Sequence, residues 1–199
     1  MSQWLGLTGR TAVITGAGGG IGKAVAMELS ANGVHCNVLD RASELVDATV
    51  AEIAGNGGQA TGHVCDITDE AAIESVADSI KTCDILVNAA GLVRPGALAD
   101  LKTSEWEDLL KVNLTGYFLM ARTFTPHLIA SGNGSMIHIA SISSTNPQGS
   151  SGAYSVSKAG VVVMSKQLAF ELGSKGVRSN TVSPGLVRTP MTEAYYQVG

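Results

Sequence analysis

Short runs of β-branched and aliphatic residues alternate with longer segments in which apolar residues recur every three or four positions. The short runs predict six strands, at residues 11–15, 34–39, 59–64, 85–88, 135–140 and 177–182. The longer segments predict helices at residues 21–31, 43–54, 69–80, 104–130 and 151–174. Thr68 precedes the third of these helices and is its expected N-cap.

The alternation of strands and helices determines the expected fold class. Strands separated by helices are typical of a parallel sheet covered on both faces, and right-handed crossovers restrict how such a sheet is wound. We therefore predict an α/β fold, a doubly wound parallel sheet with helices on both faces in a Rossmann-type three-layer sandwich. The length of 199 residues suits one domain over residues 1–199.

Charge and hydropathy exclude several classes of partner. The net charge is −4 and Lys and Arg are not clustered, so the chain lacks the basic surface that nucleic acid requires. No apolar run approaches the roughly 18 residues of a membrane-spanning helix, and the N-terminus does not follow the pattern of a signal peptide. We expect a cytoplasmic protein without nucleic-acid or membrane partners.

The cysteines and histidines do not indicate a metal site. Cys36, Cys65 and Cys83 lie far apart, in or beside strand-like runs, and lack the spacing of metal ligands. The four histidines are scattered as well. We expect no bound metal, and we expect the thiols to be buried and reduced, as is usual in a cytosolic protein.

The apolar content predicts self-association. Apolar residues make up 45% of the chain and charged residues only 15%. The predicted helices at 104–130 and 151–174 are apolar on more than one face, and residues 161–164 of the second are all apolar. A helix that is apolar all round is buried in the core or against another subunit. We therefore expect a homo-oligomer.

A glycine-rich turn at residues 15–22 joins the first predicted strand to the first helix. Gly16 suits the tight turn off the strand, Gly20 lets backbone N–H groups approach a pyrophosphate, and Gly22 allows close packing of the helix. This placement is typical of a dinucleotide-binding fold, whereas glycines in an arbitrary loop would mean little. The residues of the turn assigned to the cofactor are Gly16, Gly18, Gly19, Gly20 and Ile21.

Asp40 ends the second predicted strand, twenty residues after Gly20. A carboxylate at this position accepts hydrogen bonds from the ribose hydroxyls of NAD and repels the 2′-phosphate of NADP. Arg41 follows immediately and is able to bind that phosphate instead. The sequence therefore favours NAD over NADP without excluding NADP.

Further cofactor candidates follow the next two predicted strands. Asp66 and Ile67 come after the third strand, where the adenine would lie. Small residues after the fourth strand would let the cofactor lie close to the backbone, and the segment consists of Asn88, Ala89, Ala90 and Gly91. Either segment taken alone is equally consistent with an ordinary strand-end turn.

Tyr154 and Lys158 are four residues apart on a predicted helix, which places both side chains on one face. The ordinary pKa of a phenol is about 10, which is too high for proton transfer at neutral pH. A nearby ammonium group lowers that pKa. Ser141 follows the fifth predicted strand and is able to donate a hydrogen bond to a substrate oxygen. Each residue alone has a simpler explanation, a surface pair for Tyr154 and Lys158 and a polar loop residue for Ser141.

Asn113 lies within the predicted helix at 104–130, where an Asn is slightly unfavourable. One interpretation is that it holds a water molecule that links Lys158 to solvent. The other is that it marks a local kink or caps a carbonyl group.

These motifs together resemble those of the short-chain dehydrogenase/reductase family, over almost the whole chain. The resemblance rests on the turn at residues 15–22, the Asn-Ala-Ala-Gly segment at 88–91 and the Pro-Gly pair Pro184 and Gly185. It also rests on the family's catalytic set, which matches Asn113, Ser141, Tyr154 and Lys158. The resemblance further implies that Pro184, Gly185, Val187 and Thr189 contact the nicotinamide end of the cofactor.

The resemblance implies reversible hydride transfer between NAD(H) and a secondary alcohol or ketone, with a small molecule as substrate. Ser141 would polarise the carbonyl group, Tyr154 would donate the proton, and Lys158 would tune Tyr154. Tyr154 and Lys158 would also contact the cofactor, Lys158 at the nicotinamide ribose. The alternative is a regulatory protein of the same fold that binds NAD(P) without catalysis, although such a protein would not need these three residues. The family also implies a dimer or a tetramer.

The identity of the substrate is not specified by the sequence. Arg94, Asn146 and Gln148 are candidates for the substrate pocket, and solvated loop positions are an equally good interpretation of all three. Family members usually continue beyond the point that corresponds to Gly199, with a substrate lid and a seventh strand. We therefore expect the present sequence to lack those two elements.

Overall fold

Six parallel strands form a single sheet in the computed structural model, which describes residues 5–196. The strands are β1 (Thr11–Thr15), β2 (His35–Asp40), β3 (Gln59–Val64), β4 (Ile85–Asn88), β5 (Gly134–Ile139) and β6 (Val177–Val182). Their order in the sheet is β3-β2-β1-β4-β5-β6. The chain thus winds outward in both directions from β1, and the predicted doubly wound fold is confirmed.

Six α-helices within residues 5–196 connect and cover the strands. They are α1 (Gly20–Ala31), α2 (Ser43–Gly55), α3 (Glu70–Ser79), α4 (Thr103–Leu110), α5 (Gly116–Ala130) and α6 (Gly152–Leu172). A π-helical turn, Lys111–Thr115, joins α4 to α5. The helix predicted at 104–130 is therefore interrupted, and the other predicted bounds agree with the structure to within two residues.

The N-cap predicted for α3 is wrong. Asp69 caps this helix, because its side chain accepts a hydrogen bond from the N–H group of Ala72. The N–H group of Thr68 donates instead to the Asp66 side chain, over 2.8 Å. A carboxylate also suits the positive end of the helix better than a hydroxyl group does.

Two apolar cores lie on opposite faces of the sheet. Successive side chains of a strand point to opposite faces, so Val13 of β1 joins one core and Ile14 the other. The first core packs α3 and α5 against the sheet around Ile73 and Phe124, and the second packs α1 and α2 around Ile53. The central strands are buried on both faces, as is usual in a parallel sheet.

The sheet brings the carboxyl ends of its strands to one edge. Thr15 at the end of β1 pairs with Leu39 of β2 on one side and with Asn88 of β4 on the other. The winding direction reverses between the adjacent strands β1 and β4, and the loops after these two strands diverge there. A crevice at such a point is the usual ligand site of an open α/β sheet.

No helix in the described part of the chain is long and apolar enough to cross a membrane.

Candidate active site

A cavity of about 710 Å³ lies at the carboxyl edge of the sheet. It is lined by most of the residues that the sequence predicts for the site: Gly16, Gly18, Gly19, Gly20, Ile21, Asp40, Arg41, Asp66, Ile67, Ala89, Ala90, Gly91, Ser141, Tyr154, Lys158, Pro184, Gly185, Val187 and Thr189. Asn88 and Asn113 are not part of the lining and are fully buried beneath it. The fold therefore brings residues far apart in sequence to one site.

Two glycines of the turn at 15–22 are required by its geometry. Gly16 has a φ of +63°, and a Cβ atom there would lie 2.6 Å from the Cα atom of Ala90. A Cβ atom on Gly22 would lie 2.3 Å from the carbonyl oxygen of Gly16. Gly22 thus allows the first turn of α1 to lie against the backbone of the glycine-rich turn.

The N-terminus of α1 is open to an anionic ligand. Its N-cap is Gly19, which provides no side-chain cap, and the first turn of the helix contains no acidic residue. The first N–H groups of a helix lack partners within the helix and lie at the positive end of its dipole. Such an end is able to bind a phosphate group.

Asp40 lies at the end of β2, beside the glycine-rich turn. Its Oδ2 atom accepts a hydrogen bond from the N–H group of Gly18 over 3.1 Å, and its Oδ1 atom accepts one from Ala42 over 3.2 Å. These bonds fix the carboxylate at the cavity wall, and each oxygen retains capacity for a further donor. Arg41 also lines the cavity and is exposed.

Asn88 is oriented away from the cavity. Its Nδ2 atom donates to the carbonyl oxygen of Tyr117 over 3.3 Å and lies 3.0 Å from the Nδ1 atom of His138. The following backbone is held by Thr15, whose hydroxyl oxygen accepts hydrogen bonds from Ala89 over 3.1 Å and from Ala90 over 3.2 Å. This role of Thr15 was missed by sequence reasoning, although its place at the end of β1 was a signal.

Asn113 lies in the π-helical turn and connects the loop after β4 to α6 by hydrogen bonds. Its Oδ1 atom accepts a hydrogen bond from the N–H group of Leu92, and its Nδ2 atom donates to the Leu92 carbonyl oxygen, each over 2.9 Å. The Nδ2 atom also donates to the Ser157 hydroxyl group over 3.2 Å. Ser157 adjoins Lys158, so Asn113 positions α6 relative to the loop after β4.

Lys158 extends along α6 into the protein and is only 3% exposed. Its Nζ atom donates to the carbonyl oxygen of Ile139 over 2.7 Å and lies 5.8 Å from the ring centre of Tyr154. Burial disfavours the charged form and lowers the pKa of Lys158 to about 7. The protonation of Lys158 is therefore sensitive to any group that contacts its ammonium nitrogen.

Ser141 follows β5 and is oriented by its own loop. Its Oγ atom accepts a hydrogen bond from the N–H group of Ser143 over 3.1 Å. Because this bond uses a lone pair, the O–H group of Ser141 is left to donate to a ligand in the cavity. The side chain is almost completely buried, so such a bond would form away from bulk water.

Charged residues lie at the mouth of the cavity. Arg94 lines the cavity and forms an ion pair of 3.5 Å with Asp108. Asp108 also lines the cavity and was not predicted from the sequence. Both side chains are largely exposed, so the pair contributes little to stability. Asn146 and Gln148 are exposed and do not line the cavity.

Within residues 5–196 there is no group of three His, Cys, Asp or Glu residues that could hold a metal ion.

Residues 10–197 match the family described as short chain dehydrogenase. Among curated proteins, the chain is 36% identical over 189 residues to D-threitol dehydrogenase of Mycolicibacterium smegmatis. That match covers 93% of this chain and 73% of the relative.

Solved structures show the same fold. A candidate NAD(P)-dependent gluconate 5-dehydrogenase of Beutenbergia cavernae, with NADP bound at low occupancy, matches with a TM-score of 0.91 and 35% identity. The match covers 96% of this chain and 78% of that one. A 3-ketoacyl-(acyl-carrier-protein) reductase of Brucella melitensis, in complex with NADH, matches with a TM-score of 0.89 and 28% identity, over 94% and 80% of the two chains.

Proposed function

The chain belongs to the short-chain dehydrogenase family, and we propose that it transfers a hydride reversibly between NAD(H) and a secondary alcohol or ketone by means of Asn113, Ser141, Tyr154 and Lys158. The family assignment establishes an NAD(P)-dependent oxidoreductase that acts on alcohol or carbonyl groups. One observation supports the proposal above all others. Ser141, Tyr154 and Lys158 line the same cavity as the glycine-rich turn.

The cavity fits a nicotinamide dinucleotide. The N-terminus of α1, without a side-chain cap, would hold the pyrophosphate, and Asp40 would accept hydrogen bonds from the adenosine ribose. Ala89, Ala90 and Gly91 present little side-chain bulk to the same cavity, which supports close approach of a ligand to the backbone. When bound, the nicotinamide supplies or accepts the hydride.

Ser141 and Tyr154 would act on the reacting oxygen. In ketone reduction, the O–H group of Ser141 donates a hydrogen bond to the carbonyl oxygen, on which negative charge develops. The O–H bond of Tyr154 then breaks, and its proton moves to that oxygen to give the alcohol. In alcohol oxidation the proton returns to the phenolate of Tyr154.

Lys158 and Asn113 would support that proton transfer. The ammonium group of Lys158 stabilises the Tyr154 phenolate and lowers the proton affinity of the phenol. Asn113 fixes the loop after Gly91 and the adjoining Ser157, and so holds Lys158 in register with the cavity. The proposal also includes a role for Asn113 in holding a water molecule that links Lys158 to solvent.

NAD is the proposed cofactor. The fixed carboxylate of Asp40 at the cavity wall supports this choice, because it would repel a 2′-phosphate. Arg41, exposed beside it, is the feature that favours NADP. The two solved relatives contain NADP in one case and NADH in the other, so the family itself does not select between them.

The activity is testable with substrates that the relatives suggest. Purified protein should consume NADH, measured by its absorbance, with one or more members of a panel of polyol-derived ketones and 3-oxoacyl thioesters. NADPH under the same conditions serves as the comparison and should support a lower rate. A folded protein that consumes neither cofactor with any member of the panel would argue for binding without catalysis.

A homo-oligomer, either a dimer or a tetramer, is also proposed. Exposed apolar side chains recur every seven residues along α6, at Val156, Val163 and Phe170, and Phe170 is 86% exposed. Residues seven apart lie on one face of a helix, so the three form a continuous apolar stripe. Such a stripe is typical of a surface that is covered by another subunit.

Replacing Val163 with Glu should reduce the mass measured by light scattering, because a carboxylate in the apolar stripe would have to be buried without a partner. Lys81→Glu changes the charge by two units rather than one, on an exposed residue outside α6, and should nevertheless leave the mass unchanged. Equal masses for the wild type and the Val163 variant would show that the stripe is not an interface.

The cysteines support a reducing compartment such as the cytoplasm. Cys36, Cys65 and Cys83 are free and buried. Burial raises the pKa of Cys36 and of Cys83 to about 12, and that of Cys65 to about 11, so all three remain unreactive thiols near neutral pH. The single continuous sheet likewise supports one nucleotide-binding domain.

A further inference from the structure

A buried polar cluster lies behind Lys158 and has no part in the mechanism described above. It consists of Tyr117 on α5, His138 on β5 and Asn88 on β4, and all three side chains are completely inaccessible to solvent. Buried polar groups cost stability unless they are hydrogen-bonded. Their arrangement around the Lys158 ammonium group therefore needs an explanation.

Tyr117 contacts Lys158 directly. The Nζ atom of Lys158 donates a hydrogen bond to the Tyr117 hydroxyl oxygen over 3.3 Å, and lies 4.9 Å from the centre of the Tyr117 ring. The hydroxyl group of Tyr117 donates in turn to the carbonyl oxygen of Ile139 over 3.4 Å. Because Lys158 also donates to that carbonyl, the three groups close a ring of hydrogen bonds.

The other members of the cluster hold Tyr117 in place. The rings of Tyr117 and His138 are stacked, with centres 6.2 Å apart. The Asn88 amide donates both to the Tyr117 carbonyl oxygen and to the Nδ1 atom of His138, which assigns the proton of His138 to Nε2. Burial and the nearby Lys158 lower the pKa of His138 to about 4, so this ring is neutral.

The groups that face Lys158 carry no compensating negative charge. They are Tyr154 on its own helix, Tyr117 on α5 and His138 on β5. Among residues 5–196, no Asp or Glu forms an ion pair with Lys158. The charged form of Lys158 thus depends on neutral acceptors, the Tyr117 hydroxyl group and the Ile139 carbonyl group.

We propose that Tyr117 is a positioning residue, whose hydroxyl group holds the Lys158 ammonium group at the place where it lowers the proton affinity of Tyr154. The inference rests on the proposed function, in which Tyr154 is the proton donor and Lys158 its tuner. Removal of the Tyr117 hydroxyl group leaves the ammonium group one acceptor fewer. The Tyr154 phenolate then loses part of its stabilisation, since the two groups titrate as a coupled pair.

The test is a pH titration of the protein alone, followed by the ultraviolet absorbance of tyrosine phenolate. The step that disappears in Tyr154→Phe identifies Tyr154. In Tyr117→Phe this step should move upward by about one pH unit, which corresponds to tenfold less phenolate at a given pH. No substrate is needed for this readout, so it does not depend on knowledge of the reaction partner.

Matched variants keep the result interpretable. Thr125→Val removes a hydroxyl group from the same helix, where it donates to the carbonyl group of Ala121, and should not move the Tyr154 step. Tyr117→Met also lacks the hydroxyl group and fills the site flexibly, so it should give the same displacement if the Phe variant fails to fold.

Two outcomes separate the inference from the function on which it rests. An unmoved Tyr154 step in a folded Tyr117 variant would overturn the role of Tyr117 and leave the proposed function intact. If Tyr154→Phe removes no step below the ordinary tyrosine range, the tuning of Tyr154 itself is refuted, and the role of Tyr117 with it.

Discussion

Replacing Tyr154 with Phe should lower the rate of hydride transfer by about 10²- to 10⁴-fold, the usual contribution of a positioned proton donor. The affinity for NADH should remain nearly unchanged, because the ring stays in place and only the hydroxyl group is removed. The rate is measured as loss of NADH absorbance with the best ketone from the substrate panel. The affinity is measured by calorimetric titration of the same preparation.

Tyr196→Phe is the matched control for this prediction. Tyr196 is partly exposed, does not line the cavity, and donates a hydrogen bond to the Leu186 carbonyl oxygen. Its variant should retain the wild-type rate. Unchanged turnover in Tyr154→Phe would refute the assignment of the proton donor, whereas joint loss of turnover and NADH binding would indicate a folding defect.

Replacing Lys158 with Met should stabilise the folded protein relative to the wild type, and most strongly at low pH. The pKa of Lys158 is about 7 in the folded protein, against an ordinary value of 10.5. Between these values the unfolded chain binds a proton that the folded chain does not, so wild-type stability rises with pH. The cost of burying the ammonium group is fully present below about pH 7 and is lost as the pH approaches 10.5.

Urea unfolding of the wild type and Lys158→Met measures this difference over a range of pH. The free energy of unfolding of the variant should exceed that of the wild type at neutral pH. This excess should decrease by an amount on the order of 3–5 kcal/mol as the pH rises to the ordinary lysine pKa of 10.5. Lost hydrogen bonds offset part of the absolute gain, so the pH dependence is the decisive quantity. Lys166→Met, an exposed residue on the same helix, should show no such trend. A difference that grows with pH would contradict the lowered pKa of Lys158.

Apolar periodicity was sufficient to predict the fold. Each strand and each helix of a doubly wound sheet has a local apolar pattern, and the parallel connections leave few possible topologies. The π-helical turn at Lys111–Thr115 was not predictable in this way, because the apolar spacing continues through it. The unfavourable Asn113 was the only local sign, and its partner Leu92 lies 21 residues away in the chain.

The candidate site was predictable where its residues follow a local spacing. Tyr154 and Lys158 share a helix face because they are four residues apart, and the glycine-rich turn lies between a strand and a helix. Asn88 belongs to a predicted cofactor segment, but the alternation of side chains along β4 directs it away from the cavity. It points to the same face as Leu86 and is therefore buried beneath Tyr117. The contact between Tyr117 and Lys158 spans 41 residues and depends on the packing of both α5 and α6 against β5, which no local pattern shows.

The proposed function is tested most simply by measuring the binding of NADH and NADPH to the purified wild-type protein by calorimetry. We expect NADH to bind one site per chain and to bind more tightly than NADPH, because the Asp40 carboxylate lies at the cavity wall. Tighter binding of NADPH would make Arg41 the dominant residue at this position. Binding of neither cofactor by the folded protein would refute the proposed nicotinamide-dependent function.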